Sequence, residues 1–138
     1  MIVVGVDGSE PSKEALRWAA RQAELTSADL HVVAAWEYPT AWGWAPPYPE
    51  RFDPEGDTRR VLEATVEEAL GSSADVELVV LEDRPAPALL RAAADAELLV
   101  VGSRGRGEFV GMVLGSVSEH CVHHARCPVV VVHSRAEP

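Results

Sequence analysis

A chain of 138 residues with 47% hydrophobic and 25% charged residues has ordinary globular usage and can bury a core without disulfide or metal staples. Its formal charge of −10 disfavours nucleic acid and anionic membrane as partners, and its apolar runs fall far short of the ~20 residues that span a bilayer. No basic, signal-like stretch opens the sequence, and the two cysteines, Cys121 and Cys127, suit a reducing compartment, so one cytoplasmic domain over 1–138 is expected.

The first element is a β-branched run, Ile2 to Val6, of strand length. Asp7-Gly8-Ser9 then makes a turn, with Ser9 placed to cap a helix that holds Pro11 in its first turn. Leu16, Ala19, Ala20 and Ala23 recur at helical spacing, and a second strand follows from Leu30 to Trp36. Between 38 and 52 prolines and aromatics, Trp42, Trp44 and Tyr48 among them, forbid regular structure and predict a long loop. This loop suits a ligand flap, a partner contact or a cover for the core edge, and its pattern does not separate the three. A helix from about Glu55 to Leu70, a strand from Val76 to Leu81, and a helix opened by Pro85 and Pro87 and running to about Asp95 come next. The strand Leu98 to Val101, a helix over roughly 116–126 and the strand Val129 to Val132 complete the order. Strands buried on both faces and alternating with helices predict an α/β fold around a parallel sheet.

Gly102-Ser103-Arg104-Gly105, followed after nine residues by Gly115-Ser116, joins the fourth strand to the last helix. Glycine lets bare backbone amides approach a ligand and accepts the positive φ angles that aim them at one point. A helix entrance adds unpaired N–H groups and the positive end of the helix dipole. The segment therefore reads as a phosphate cradle. Asp7, at the end of the first strand, would lie on the same sheet edge, where ligands of parallel α/β sheets bind. A carboxylate repels phosphate, so its natural partner is a sugar hydroxyl or a base amino group. The alternative role for Asp7 is to close its own turn. No Walker lysine follows the glycine loop and no GxGxxG follows the first strand.

Val4-Gly5-Val6-Asp7-Gly8-Ser9, the spaced Gly-two-Gly-nine-Gly-Ser pattern and Cys127-Pro128-Val129 together resemble the universal stress protein family, specifically its ATP-binding branch. The resemblance covers the chain from Ile2 to about His133. It implies an open, Rossmann-like sheet of five parallel strands, order 3-2-1-4-5, with helices on both faces. It also implies a homodimer paired through Val129 to Val132. Carried over by position, Asp7 contacts the ribose or base and Ala35 forms part of the adenine wall. Gly102 and Gly105 let the loop close around ribose and phosphates, while Gly115, Ser116 and Val117 face the phosphates. The implied cofactor is ATP, with or without Mg²⁺. Glycine at position 5 departs from family members that place proline against the adenine, which predicts weaker packing of the base.

His120, Cys121, His123, His124 and Cys127 superficially suggest a metal cluster, but helical spacing turns Cys121 away from the histidines, and no metal ligand is assigned. Cys121 reads instead as a small buried hydrophobe. Arg104 and Arg106 are candidates for neutralising phosphate charge, and Glu108 is the carboxylate nearest the loop. No catalytic residue is assigned. Three functions stay open on the residues: a nucleotide-dependent regulatory module in a stress response, a slow ATPase, and a nucleotide-free interaction scaffold.

Overall fold

The computed structural model describes residues 1–38, 52–105 and 114–134. Five strands, β1 (Ile2–Gly5), β2 (Leu30–Trp36), β3 (Glu77–Glu82), β4 (Leu98–Gly102) and β5 (Val129–Val132), form one sheet in the order β3-β2-β1-β4-β5. Every neighbouring pair is parallel. The expected open sheet with order 3-2-1-4-5 is the one observed. The chain winds outward from β1 through β2 to β3, then returns to place β4 on the other side of β1. The carboxyl ends of β1 and β4 therefore mark the point where the strand order reverses, which is where a cleft opens in folds of this kind.

Period-two alternation sorts the strand residues onto two faces. Val4, Val32, Ala34 and Val100 join Leu16, Ala19 and Leu62 in the core beneath helices α1 (Glu10–Thr26) and α2 (Pro54–Leu70). Val3, Val33, Leu99 and Val101 join Leu89, Ala93 and Cys121 in a second core beneath α3 (Pro85–Ala92) and α4 (Ser116–His124). Burial on both faces explains why the central strands carry continuous apolar runs instead of alternating ones. β1 is the limiting case, with Ile2, Val3 and Val4 at most 1% exposed.

The caps fall where their residue types direct them. Ser9 caps α1 through its hydroxyl to the Ser12 amide, with proline in the first turn, and Ser27 ends the helix in the left-handed region at φ 56°. Asp53 caps α2, and Gly71 closes it at φ 90°. Two helices stop earlier than the sequence pattern suggests. α3 ends at Ala92, because Ala96 already folds back to the Ala93 carbonyl and Glu97 to that of Met1. α4 ends at His124, with Ala125 extended at ψ 147°. Pro128 lies just beyond and disfavours helical backbone before it. The predicted 38–52 loop lies, apart from Tyr38 and Phe52, outside the described residues. Those two flanking rings approach to 6.1 Å, and Tyr38 stacks edge-on against Trp36 at 5.1 Å. No helix among the described residues is long and apolar enough to cross a membrane.

Candidate functional site

At the reversal of strand order, on the face covered by α3 and α4, lies a cavity of about 410 Å³. That is within the range of small-molecule sites. Eight of the residues singled out from the sequence line it: Asp7, Ala35, Gly102, Arg104, Gly105, Gly115, Ser116 and Val117. They come from three strand ends and a helix entrance. Its wall is apolar where Val33, Ala35 and Leu89 meet, and polar where the glycine loop meets α4. Among the described residues that line it, Asp7 is the one acid and Arg104 the one base.

The glycines act through close approach rather than through unusual backbone angles. Gly102, Gly105 and Gly115 all have ordinary φ values, and Gly115 stands at −74°. The expected run of positive φ angles is therefore absent among them. A β-carbon at Gly105 would lie 2.5 Å from Asp7 Oδ2, so the missing side chain is what lets the loop sit against the end of β1. A β-carbon at Gly102 would lie 2.8 Å from the Pro11 carbonyl carbon and 2.9 Å from its oxygen. Gly102 lines the cavity with its backbone, yet its lack of a side chain makes room for the first turn of α1.

Asp7 performs the turn-closing role considered for it and lines the cavity as well. Its Oδ1 accepts the Ser9 amide at 2.9 Å and the Ser9 hydroxyl at 2.5 Å, while Oδ2 faces Gly105. Ser12, beneath it, donates its hydroxyl to the Ser9 carbonyl at 2.8 Å and accepts the Asp7 amide at 3.4 Å.

The entrance to α4 is organised by Ser103, a side chain 1% exposed. The Ser103 amide donates to the Val132 carbonyl at 2.9 Å, and its own carbonyl accepts the Gly115 amide at 2.6 Å. Ser118 Oγ reaches both the Ser103 and the Gly115 carbonyls at 3.0 Å. The Gly115 amide is thus turned into the loop rather than toward the cavity. The amides of Ser116 and Val117 precede the first intrahelical bond, which runs from the Glu119 amide to the Gly115 carbonyl at 3.0 Å. They carry the positive end of the α4 dipole. Arg106 and Glu108 lie outside the described residues.

Sequence reasoning missed Leu89, Ser12 and Ser118 at this site. Ser118 had a local signal, since serine three residues into a helix commonly bonds back to the cap carbonyl. Leu89 had none, because its contact with the site is tertiary. On the outer side of α4 the His120 and His124 rings lie 4.4 Å apart, while Cys121 is fully buried. Burial pushes the Cys121 thiol up to about 11 and raises that of Cys127 as well. Among the described residues, no group of three or more His, Cys, Asp or Glu is arranged to hold a metal ion.

The universal stress protein family matches residues 1–133. The universal stress protein Rv2005c of Mycobacterium tuberculosis is 37% identical over 141 residues, covering 96% of this chain and 48% of the relative. The protein Rv2623 of the same organism is 38% identical over 140 residues, covering 96% and 47%. The chain spans about half the length of the curated relatives it matches. A universal stress protein solved in complex with cAMP superposes with a TM-score of 0.66 at 28% identity, covering 96% of this chain and 95% of that one.

Proposed function

The chain belongs to the universal stress protein family, and on that premise we propose that it binds an adenine nucleotide, ATP, as a nucleotide-dependent module of a stress response. The observation that carries the reading is the convergence of eight residues, spread from Asp7 to Val117, around one cavity. The similar protein in complex with cAMP supports an adenine nucleotide as the ligand class. The apolar end beside Ala35 takes the base. Asp7 receives a ribose hydroxyl, and Arg104 with the Ser116 and Val117 amides receives the phosphates. A helix entrance suits that last role because its amides and dipole both favour negative charge.

The cavity fits such a ligand by its chemistry. Its volume of about 410 Å³ and its apolar wall at Val33, Ala35 and Leu89 match an aromatic base. Binding is favoured over hydrolysis, because hydrolysis needs a group that positions the attacking water. Asp7, the one carboxylate lining the cavity among the described residues, already holds Ser9 through one oxygen. It is assigned neither as a base nor as a Mg²⁺ ligand. The partly exposed valines of β5 form a sheet edge that a second copy would cover. The proposal is completed by a homodimer paired there, and by a single cytoplasmic domain.

The test is extraction of nucleotide from freshly purified protein, followed by calorimetric titration with ATP, AMP, cAMP and adenosine. Gly115→Val places bulk at the α4 entrance at a φ that accepts any residue, and it should weaken ATP binding at least about tenfold, or ~1.4 kcal/mol. Absence of extracted nucleotide together with no binding of any of the four ligands would overturn the proposal.

A further inference from the structure

We propose that Leu89 of α3 is the side chain against which the base packs, and that it stands in for a side chain at position 5. The inference rests on the nucleotide reading above. Gly5 ends β1 on the same sheet face as Val3, directly below α3. A β-carbon built there would lie 2.7 Å from Leu89 Cδ1 and 3.0 Å from Cδ2. Both methyls therefore occupy the volume that a residue at position 5 would claim. Leu89 is 5% exposed and joins Val33 and Val101 in the second core, yet it also lines the cavity. Its branched tip is the partition between core and cavity.

The arrangement is held from outside. Pro85 starts α3, and Arg91 in its last turn pairs at 3.0 Å with Asp83, which precedes the helix. A glycine in β1 thus draws the helix down until leucine covers the strand. The apolar floor expected to be missing from a site with glycine at this position is restored by a residue 84 positions away in the chain. Gly5 and Leu89 form a matched pair, and their combined bulk sets the clearance of the base slot.

Titration of the full chain with adenosine and with ATP tests this. Gly5→Ala drives the leucine tip toward the cavity and should weaken both ligands by the same factor, about tenfold, by overfilling the slot. Adding Leu89→Val to Gly5→Ala shortens the tip and should restore both affinities to within about threefold of the parent chain. Leu89→Val alone should cost about threefold for both ligands through lost apolar contact. It serves as the independent variant if Gly5→Ala does not fold. An equal factor for the two ligands marks a contact to the base, because a general loosening of the loop would cost ATP more than adenosine. If the parent chain binds adenosine and these variants bind it equally well, Leu89 does not touch the base and this inference falls alone. If the parent chain binds neither ligand, the nucleotide reading falls and takes this one with it.

Discussion

Two glycines of one motif, three residues apart, should answer alanine substitution in opposite ways. At Gly102 the added carbon meets Pro11 at 2.8 and 2.9 Å, and two of the three nearest atoms are backbone. Ordinary contact begins near 3.4 Å, so β4 and the first turn of α1 must part by about half an ångström. Forcing a methyl into packing of this kind costs about 1–3 kcal/mol. With ~2.1 cal/mol/K of unfolding entropy per residue, a chain of 138 residues loses roughly 3 °C of Tm per kcal/mol. Gly102→Ala should therefore melt about 3–10 °C below the parent chain. At Gly105 the added carbon meets one carboxylate oxygen of an exposed side chain, with the carboxyl carbon at 3.7 Å. Asp7 can yield by rotating at the expense of its bonds to Ser9, worth about 1 kcal/mol, so Gly105→Ala should melt no more than about 3 °C below the parent while disturbing the cavity. Thermal and urea unfolding of the two variants, side by side with adenosine titration, reads both effects. If Gly102→Ala unfolds with the parent chain, or Gly105→Ala is the less stable of the two, the division of labour argued here is wrong.

Asp7→Asn keeps an oxygen to accept from Ser9 and removes the charge, whereas Asp7→Ala removes both. The alanine variant should lose about 1 kcal/mol of stability from the unmade turn bonds, with the asparagine variant close to the parent by urea unfolding. Both should weaken adenosine, and an alanine variant with parental adenosine affinity would leave Asp7 a purely structural role. Cys121 supplies a pH dependence of known sign. Its folded thiol is raised from 9.0 to about 11 by burial, so the stability it contributes is full below about pH 9 and is lost as pH rises toward 11. The loss amounts to at most about 2–3 kcal/mol at ~1.4 kcal/mol per unit. Cys121→Ala should show a flatter decline than the parent between pH 8 and 11 in urea unfolding, and parallel declines would refute the assignment.

Local chemistry explains which features the sequence disclosed. Ser9 acts through a hydrogen bond to an amide three residues on, so the start of the first helix could be read directly. The parallel sheet followed from continuous apolar strands alternating with helices, although the strand order came through the family resemblance. The site was legible where a strand end meets a glycine, as at Asp7 and Gly105. It was not legible where two distant surfaces touch. Nothing near Gly102 announces that Pro11 lies against it, and nothing near Gly5 announces Leu89. The engagement of the Gly115 amide is hidden for the same reason, since its acceptor, the Ser103 carbonyl, is brought to it only by the fold.

Ser103 ties the glycine loop to the last strand with one hydrogen bond to Val132 and holds the α4 entrance with its carbonyl. The bond to the sheet edge and the bond to the helix entrance therefore start from the two successive peptide units of one residue. A partner of the kind proposed for β5, if it displaced Val132, would pull on the residue whose carbonyl holds Gly115 and Ser118. Thermodynamic reciprocity then fixes the size of the return effect: whatever factor edge pairing imposes on ligand affinity, the ligand imposes on edge pairing. On the proposed reading of a nucleotide site and a pairing through β5, a change in ligand concentration would in that way be converted into a change in assembly.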